Sequence, residues 1–396
     1  SGCDGSKRPP VVLPPPVIHR PPRGPTYAFL VHPTCPEDVA VTNPGLRRLS
    51  AGELRRFCGF IASLPPVVVL RAPTIRSPRG PAADGFIITL PLLPAEMARR
   101  GLKSVSRQIA QAVDLAAMLG AQVVGLGGHT TPFSRRGLAV IGRGPAITTG
   151  NVLTAGMAFA ATRQLAEQRQ GPLTNARVAV VGARGSVGSL CARLFARARP
   201  RRLLLVGNPA TGTAYVRRLG RELDGGAAAV EVTTDLCRLG DCDIVVTATG
   251  AARPVLDEAP LAPGTIVCDI ARPPDTATRL RTRRDVVVIE GGPVALPDPT
   301  TRFGAGNILG LPDGVQVACL AETILLALEC TARHHGIGQG VGLAAVDAIM
   351  AIAERHGFRL APAPPACVGQ DSNPDTLSLV RIPILTHTLQ TPSARS

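Results

Sequence analysis

One stretch limits what this chain can become. Residues 176–191 read Ala-Arg-Val-Ala-Val-Val-Gly-Ala-Arg-Gly-Ser-Val-Gly-Ser-Leu-Cys. A short apolar run, Val178 to Val181, is followed by glycines at even spacing, Gly182, Gly185 and Gly188. A helical pattern comes next, with Val187, Leu190, Cys191 and Leu194 on one face. Strand, glycine turn and helix together open a dinucleotide-binding unit. Gly182 lets the chain turn sharply, Gly185 lets backbone approach a diphosphate, and Gly188 lets helix and strand pack closely. The helix N-terminus then presents free N–H groups and a positive dipole end to the phosphates. Gly182, Arg184, Gly185, Ser186, Val187 and Gly188 are the expected cradle. The bland alternative is a tight strand-to-helix turn that holds nothing.

Further strand-like runs follow at Arg202–Val206, Val230–Thr233, Cys242–Gly250, Gly264–Asp269 and Val286–Glu290, with helical stretches between. That alternation predicts one doubly wound parallel sheet over about 176–310. The second strand runs into Gly207-Asn208-Pro209, where an NAD site usually has a carboxylate for the ribose hydroxyls. Its absence removes repulsion against a 2′-phosphate, so NADPH is the expected cofactor, with Asn208 beside the ribose. Arg184, Arg217 and Arg218 are candidate phosphate partners. The small polar turn at Thr249 and Gly250 is where the nicotinamide half is expected.

Upstream, Tyr27–Val31 reads as a first strand, Ser50–Ala62 as a helix, and Val67–Leu70 and Gly85–Leu90 as strands. Helical character begins at Pro94, and Lys103–Leu119 reads as an amphipathic helix ended by Gly120. Gln122–Leu126 is a buried-strand run feeding Gly127-Gly128-His129, and Thr148-Thr149-Gly150-Asn151 precedes an Ala-rich helix over 153–168. The Thr-Thr-Gly-Asn cluster is either a helix cap or a ligand contact at the domain junction. Downstream, a helix from about 315 to 333 and another over 343–356 are predicted. The fold class is therefore α/β: a doubly wound (Rossmann) NADP-binding domain with an N-terminal α/β substrate domain and C-terminal helices. The expected divisions are a disordered basic Pro-rich tail at 1–26, the substrate domain at 27–150, the Rossmann domain at 151–310, helices at 311–362 and a tail at 363–396. Within that last tail, Leu377–Leu385 is strand-like.

A formal net charge of +15 favours acidic partners. No basic-aromatic interleaving suited to stacking bases accompanies it, so nucleic acid is not expected. Ten cysteines without a Cys-x-x-Cys pair, several inside apolar runs, read as reduced core residues rather than a disulfide framework. The seven histidines do not cluster with them at ligand spacing, so no metal is expected. No apolar run approaches the ~20 residues of a membrane span. With no secretory signal seen, the expected location is the cytoplasm. The first residues, Ser1-Gly2, carry no initiating Met, which fits a processed or truncated start.

Several short segments recur in a telling order. They are 93–103 (Leu-Pro-Ala-Glu-Met-Ala-Arg-Arg-Gly-Leu-Lys), Gly127-Gly128-His129-Thr130, Thr148-Thr149-Gly150-Asn151, the Gly182–Gly188 turn, Gly291-Gly292-Pro293-Val294, Ala318-Cys319-Leu320-Ala321-Glu322 and His356-Gly357-Phe358. Across about 85–360 this pattern resembles the long-chain acyl-[acyl-carrier-protein] reductases best known from cyanobacteria. The resemblance implies NADPH-dependent reduction of an acyl thioester to a fatty aldehyde. It also implies a covalent acyl-enzyme on the residue matching Cys319. The thioester's carrier would be an acyl carrier protein or CoA, with an aldehyde-consuming enzyme as a further partner. Acyl carrier proteins are acidic, which suits the basic balance.

Chemistry agrees with that role for Cys319, because a thiolate near a helix N-terminus is an effective nucleophile. A cysteine within Val-Ala-Cys-Leu-Ala is also commonly just a small core residue. Glu322, one turn on, can orient a neighbour or cap the helix. His129 and Lys103 are the candidates for polar assistance to the carbonyl oxygen; Thr148, Thr149 and Asn151 are candidate substrate or nicotinamide contacts. The chain departs from the family pattern in both tails, in 27–84, and at Gly207-Asn208, where the family has an arginine. Two other readings stay open: a non-covalent NAD(P)-dependent dehydrogenase similar to the shikimate or amino-acid dehydrogenases, and a non-catalytic binding protein that kept the nucleotide fold.

Overall fold

A computed structural model describes residues 24–361, apart from 43, 225–228, 252, 257, 258, 305, 306, 308 and 309. The expected tail at 363–396 with its strand-like segment, and all but the last three residues of the tail at 1–26, lie outside the described residues.

Five strands make the first sheet: β1 (Thr26–Val31), β2 (Val67–Arg76), β3 (Ala82–Thr89), β4 (Val123–Leu126) and β5 (Ala146–Thr148), in the order β2-β3-β1-β4-β5. The last four run parallel to one another, and β2 adds an antiparallel edge through a hairpin with β3. Parallel strands covered on both faces read as continuous apolar runs, as Val123–Leu126 does. The helices here are α1 (Pro36–Thr42), α2 (Ala51–Ile61), α3 (Pro94–Met118) and the single turn α4 (Thr130–Phe133). Ser50 and Glu53 close a reciprocal capping box at the start of α2. In α3 the two predicted helical pieces meet end to end at Gly101, whose φ of 74° interrupts the helix. Val105, Ile109 and Val113 of α3 pack on one face of the sheet, against Leu30, Ile88 and Val124.

After α5 (Asn151–Arg169) comes the second sheet: β6 (Arg177–Val181), β7 (Arg202–Val206), β8 (Ala229–Thr233), β9 (Ile244–Thr247), β10 (Ile266–Asp269) and β11 (Val287–Glu290). Its order is β11-β10-β9-β6-β7-β8, and every pairing is parallel. This is the doubly wound arrangement expected, with α6 (Ser186–Arg197), α7 (Ala214–Leu223) and α8 (Thr278–Arg281) among its connections.

The C-terminal third departs from expectation. Val315–Val317 is not the first turn of a helix but a strand, β13, paired antiparallel with β12 (Pro293–Ala295), which also pairs with β14 (Arg359–Leu360). Gln316, fully buried, donates from Nε2 to Asn307 Oδ1 at 2.9 Å, a local tie that the apolar pattern does not reveal. The helix, α9, begins only at Ala318 and ends at Leu328, not 333; Cys330 has a φ of 50°. α9 packs against the first sheet on the face opposite α3, joining Tyr27, Phe29 and Val123 in a core shared with α5. α10 (Leu343–Arg355) lies against α5. No described helix is long and apolar enough to cross a membrane. The eight described cysteines are all free thiols.

Candidate functional site

The glycine turn is built as its spacing required. Gly182 has a φ of 82°, and a Cβ there would lie 2.7 Å from Ala248 O. A Cβ on Gly188 would lie 2.3 Å from Gly182 O, so helix and turn are in backbone contact. Gly185 is the N-cap of α6, and no side chain caps that helix; Ser186 and Val187 are its first two residues. The first-turn N–H groups are therefore left for a ligand, and Arg184 beside them is exposed. After β7, Asn208 accepts from Ala210 N–H at 2.9 Å and no carboxylate stands at the strand end. After β9, Thr249 is held by Asp275, which accepts both its N–H (2.9 Å) and its hydroxyl, while Gly250 is unobstructed. Asp275 is fully buried, and loss of hydration pushes its carboxyl up despite three hydrogen bonds from Thr247 and Thr249.

The parallel strands β1, β4 and β5 end on one edge of the first sheet, which places His32, His129 and the Thr148–Asn151 corner side by side. His32 Nε2 accepts from the His129 N–H at 3.0 Å, and the two rings meet edge to face at 5.2 Å. Burial pulls His32 down to about 4, so it is neutral at pH 7. Burial also lowers His129, whose Nδ1 is buried without a partner. Neither threonine caps α5. Thr148 donates its hydroxyl to Glu322 Oε1, and Thr149 donates to Gly336 O at 2.6 Å. Both hydroxyl protons are thus committed within the protein. Asn151 Nδ2, in contrast, is buried and unpartnered.

Cys319 is the second residue of α9, closer to a helix N-terminus than the longer predicted helix implied. Gly150 packs directly on it: a Cβ on Gly150 would lie 2.2 Å from Cys319 Cβ. The preceding Ala318 N–H donates to Gly292 O at 3.0 Å, just beyond the end of β11. Cys319 therefore sits where the C-terminal strand ends of both sheets meet, and it is partly exposed. Packing around the sulfur pushes its thiol up to about 12, and the Glu322 charge adds to this; the Leu320 N–H and the Arg272 charge oppose it. Arg272 is anchored through Glu290 Oε2 at 2.6 Å. One turn along α9, buried Glu322 also accepts the Leu153 N–H at 2.7 Å, and its Oε1 lies 3.0 Å from His335 Nδ1. Glu322 thereby caps α5 rather than its own helix. Lys103 is exposed on α3, across the sheet from α9, and no described hydrogen bond or ion pair joins it to Cys319 or His129. Sequence reasoning gave no site role to His32, His335, Arg272 or Asp275, which lack a motif and meet their partners His129, Glu322, Glu290 and Thr249 only through the tertiary fold.

A groove joins the two halves. Arg184, Ser186 and Tyr215 line it from the nucleotide side, and Arg136 and Asn151 from the other. Arg184 and Ser186 bring the end of the glycine turn and the uncapped start of α6 to this groove, a lining that suits the phosphates of a dinucleotide. No group of three or more metal-ligating side chains occurs among the described residues.

Residues 164–290 match the family model of shikimate / quinate 5-dehydrogenase. The aminotransferase PigE of Serratia sp. is 29% identical over 291 residues, 73% of this chain; the chain spans only 34% of that relative's length. The long-chain acyl-[acyl-carrier-protein] reductase of Synechococcus elongatus is 27% identical over 314 residues, covering 76% of this chain and 89% of that one. A solved shikimate 5-dehydrogenase from Listeria monocytogenes superposes with a TM-score of 0.37 at 9% identity, covering 83% of this chain and 96% of that one. Residues 164–290 carry the Rossmann-like parallel-sheet fold described by that family model.

Proposed function

We propose that the chain is an NADPH-dependent reductase of an acyl thioester, presented on an acyl carrier protein or CoA, that releases an aldehyde. The observation that carries this reading is a cysteine in the first turn of a helix, packed on Gly150 just past the end of β5 and following a residue tied to Gly292 just past the end of β11. The similarity to the Synechococcus acyl reductase, which spans both halves of the chain, supports it. The missing carboxylate after β7 supports NADPH over NADH.

In this mechanism Cys319 rests as a thiol, so its proton must leave as the sulfur attacks the thioester carbonyl carbon. We assign the base to the neutral ring of His129, at the end of β4, whose Nδ1 has no partner within the protein, and in this reading it takes that proton. The C–S bond to the carrier then breaks, and the departing thiolate takes the proton back from His129. Cys319 is left as an acyl thioester. Arg272 and the Cys319 and Leu320 N–H groups in the first turn of α9 supply positive potential for the charge that develops on the carbonyl oxygen. When bound, the reduced nicotinamide supplies the two electrons as a hydride to the acyl carbon. Cys319 departs as a thiolate while the carbonyl re-forms, the aldehyde leaves, and the sulfur takes a proton from solvent. Glu322 and Gly150 act as positioning residues: one ties α9 to α5 and β5, the other permits their contact.

The test is intact-mass measurement after incubation with acyl-carrier and acyl-CoA thioesters without NADPH. An acyl adduct mapped to Cys319, lost on adding NADPH and absent in Cys319→Ser, is the expected result. No adduct with any thioester, and full activity of Cys319→Ser, would overturn it. That outcome belongs to the second reading, a dehydrogenase without a covalent step, which the shikimate-type match over 164–290 favours.

A further inference from the structure

The C-terminal part of the chain holds a second glycine-rich run, Gly336-Ile337-Gly338-Gln339-Gly340, that the proposed chemistry does not use. Its three glycines adopt φ values of 61°, 73° and 80°, a conformation L side chains rarely take. The run lines the same groove as Arg184 and Ser186 at the start of α6. It is fixed there from the other half of the molecule. Gly338 N–H donates to Arg136 O at 2.9 Å, Thr149 donates to Gly336 O at 2.6 Å, and a Cβ on Gly336 would lie 2.8 Å from Val152 Cγ2. Arg136 is itself held at a φ of 58°, next to Arg135 at 54°, an unusual pair for non-glycine residues. Neither Arg136 nor Arg184 has an ion-pair partner among the described residues, although both line the groove with the unpartnered Asn151 Nδ2.

Two guanidinium groups without an ion-pair partner and an uncapped helix start form a positive concavity that no carboxylate among the described lining residues neutralises. We propose that the Gly336–Gly340 run and Arg136 form a second wall for the dinucleotide's diphosphate, so that the cofactor is gripped from both halves of the molecule. This rests on the nucleotide reading of the Gly182–Gly188 turn, not on the thioester chemistry. Glycine is required on this wall by backbone geometry: all three residues have left-handed φ, and a Cβ on Gly336 would press on Val152.

The experiment is equilibrium titration of the full chain with NADPH, followed by its fluorescence, and with 2′-phospho-ADP-ribose, which has the diphosphate but no nicotinamide. Arg136→Gln and Arg136→Gly are compared with the parent; the glycine variant also relieves the left-handed backbone, so folding is not at risk. Loss of a charged hydrogen bond predicts about a tenfold rise in Kd, equal for both ligands, and a shallower dependence on salt. Arg136→Lys is expected to recover part of it. An unchanged Kd, or a change for NADPH but not for 2′-phospho-ADP-ribose, would overturn the second wall while leaving the thioester mechanism standing. A parent chain that binds neither ligand would overturn this proposal and the nucleotide reading together. A thioester adduct on Cys319 that never forms, with both ligands still bound through Arg136, would remove only the proposed function.

Discussion

The reactivity of Cys319 is open to a direct test. Its thiol is pushed from an ordinary 9.0 to about 12 because the packed surroundings solvate a thiolate poorly. At pH 8 a thiol at 9.0 is roughly one-tenth ionised, whereas one at 12 is ionised in about one molecule in ten thousand. Alkylation proceeds through the thiolate, so iodoacetamide should modify Cys319 roughly a thousandfold more slowly than the same cysteine in an unfolded peptide. The assay is a pulse of iodoacetamide at several pH values, followed by peptide mass mapping of each cysteine, with exposed Cys237 and Cys330 as internal references. The pH profile separates ionisation from simple obstruction. The peptide rate levels off above pH 9, but the Cys319 rate should keep climbing about tenfold per unit through pH 10. A plateau by pH 9, or a peptide-like rate at pH 8, would refute the reasoning and mean that Arg272 and the α9 amides outweigh desolvation. The same shift has a consequence for stability. Because the folded value lies above the unfolded one, this group's contribution is full below pH 9 and is lost as pH rises from 9 to 12. The loss is on the order of 4 kcal/mol.

Two substitutions probe the framework around that sulfur. Gly150→Ala places a methyl group 2.2 Å from Cys319 Cβ at a φ of 69°. Left-handed strain and overpacking together should cost about 2–5 kcal/mol by urea midpoint; a shift under 1 kcal/mol would show that the contact is soft. Glu322→Gln removes a buried carboxylate that receives the Thr148 hydroxyl and the Leu153 N–H. Leaving one donor unmatched should cost about 1–3 kcal/mol. An unchanged thermal midpoint would show that α9 and α5 do not depend on this tie.

Local order was legible along the chain. The glycine turn could be read because its spacing reflects steric needs of one short segment, and the strands of the second sheet could be read because most are self-contained apolar runs, with only the edge strand Ala229–Thr233 alternating. The helix holding Cys319 was misread at both ends. Val315-Gln316-Val317 pairs with Pro293–Ala295, a partner some twenty residues away, and the buried Gln316 makes sense only once Asn307 stands beside it. In sequence the Thr148-Thr149-Gly150-Asn151 cluster reads as one unit, either a helix cap or a ligand contact. The tertiary structure divides it: two hydroxyls are spent on Glu322 and Gly336, the glycine is spent on Cys319, and only the asparagine amide is left open.

What the sequence determined by itself is therefore a nucleotide-binding α/β chain with a cysteine in an apolar helix, since those features follow from short-range periodicity and backbone sterics. What only the tertiary structure decided is that α9 leaves the nucleotide half to pack on the first sheet. That crossing sets Cys319 against Gly150, Glu322 under Thr148, and a second glycine run beside Arg184. Each of these pairings joins residues far apart in the chain. Their energy comes from burial and buried hydrogen bonds that no local pattern encodes.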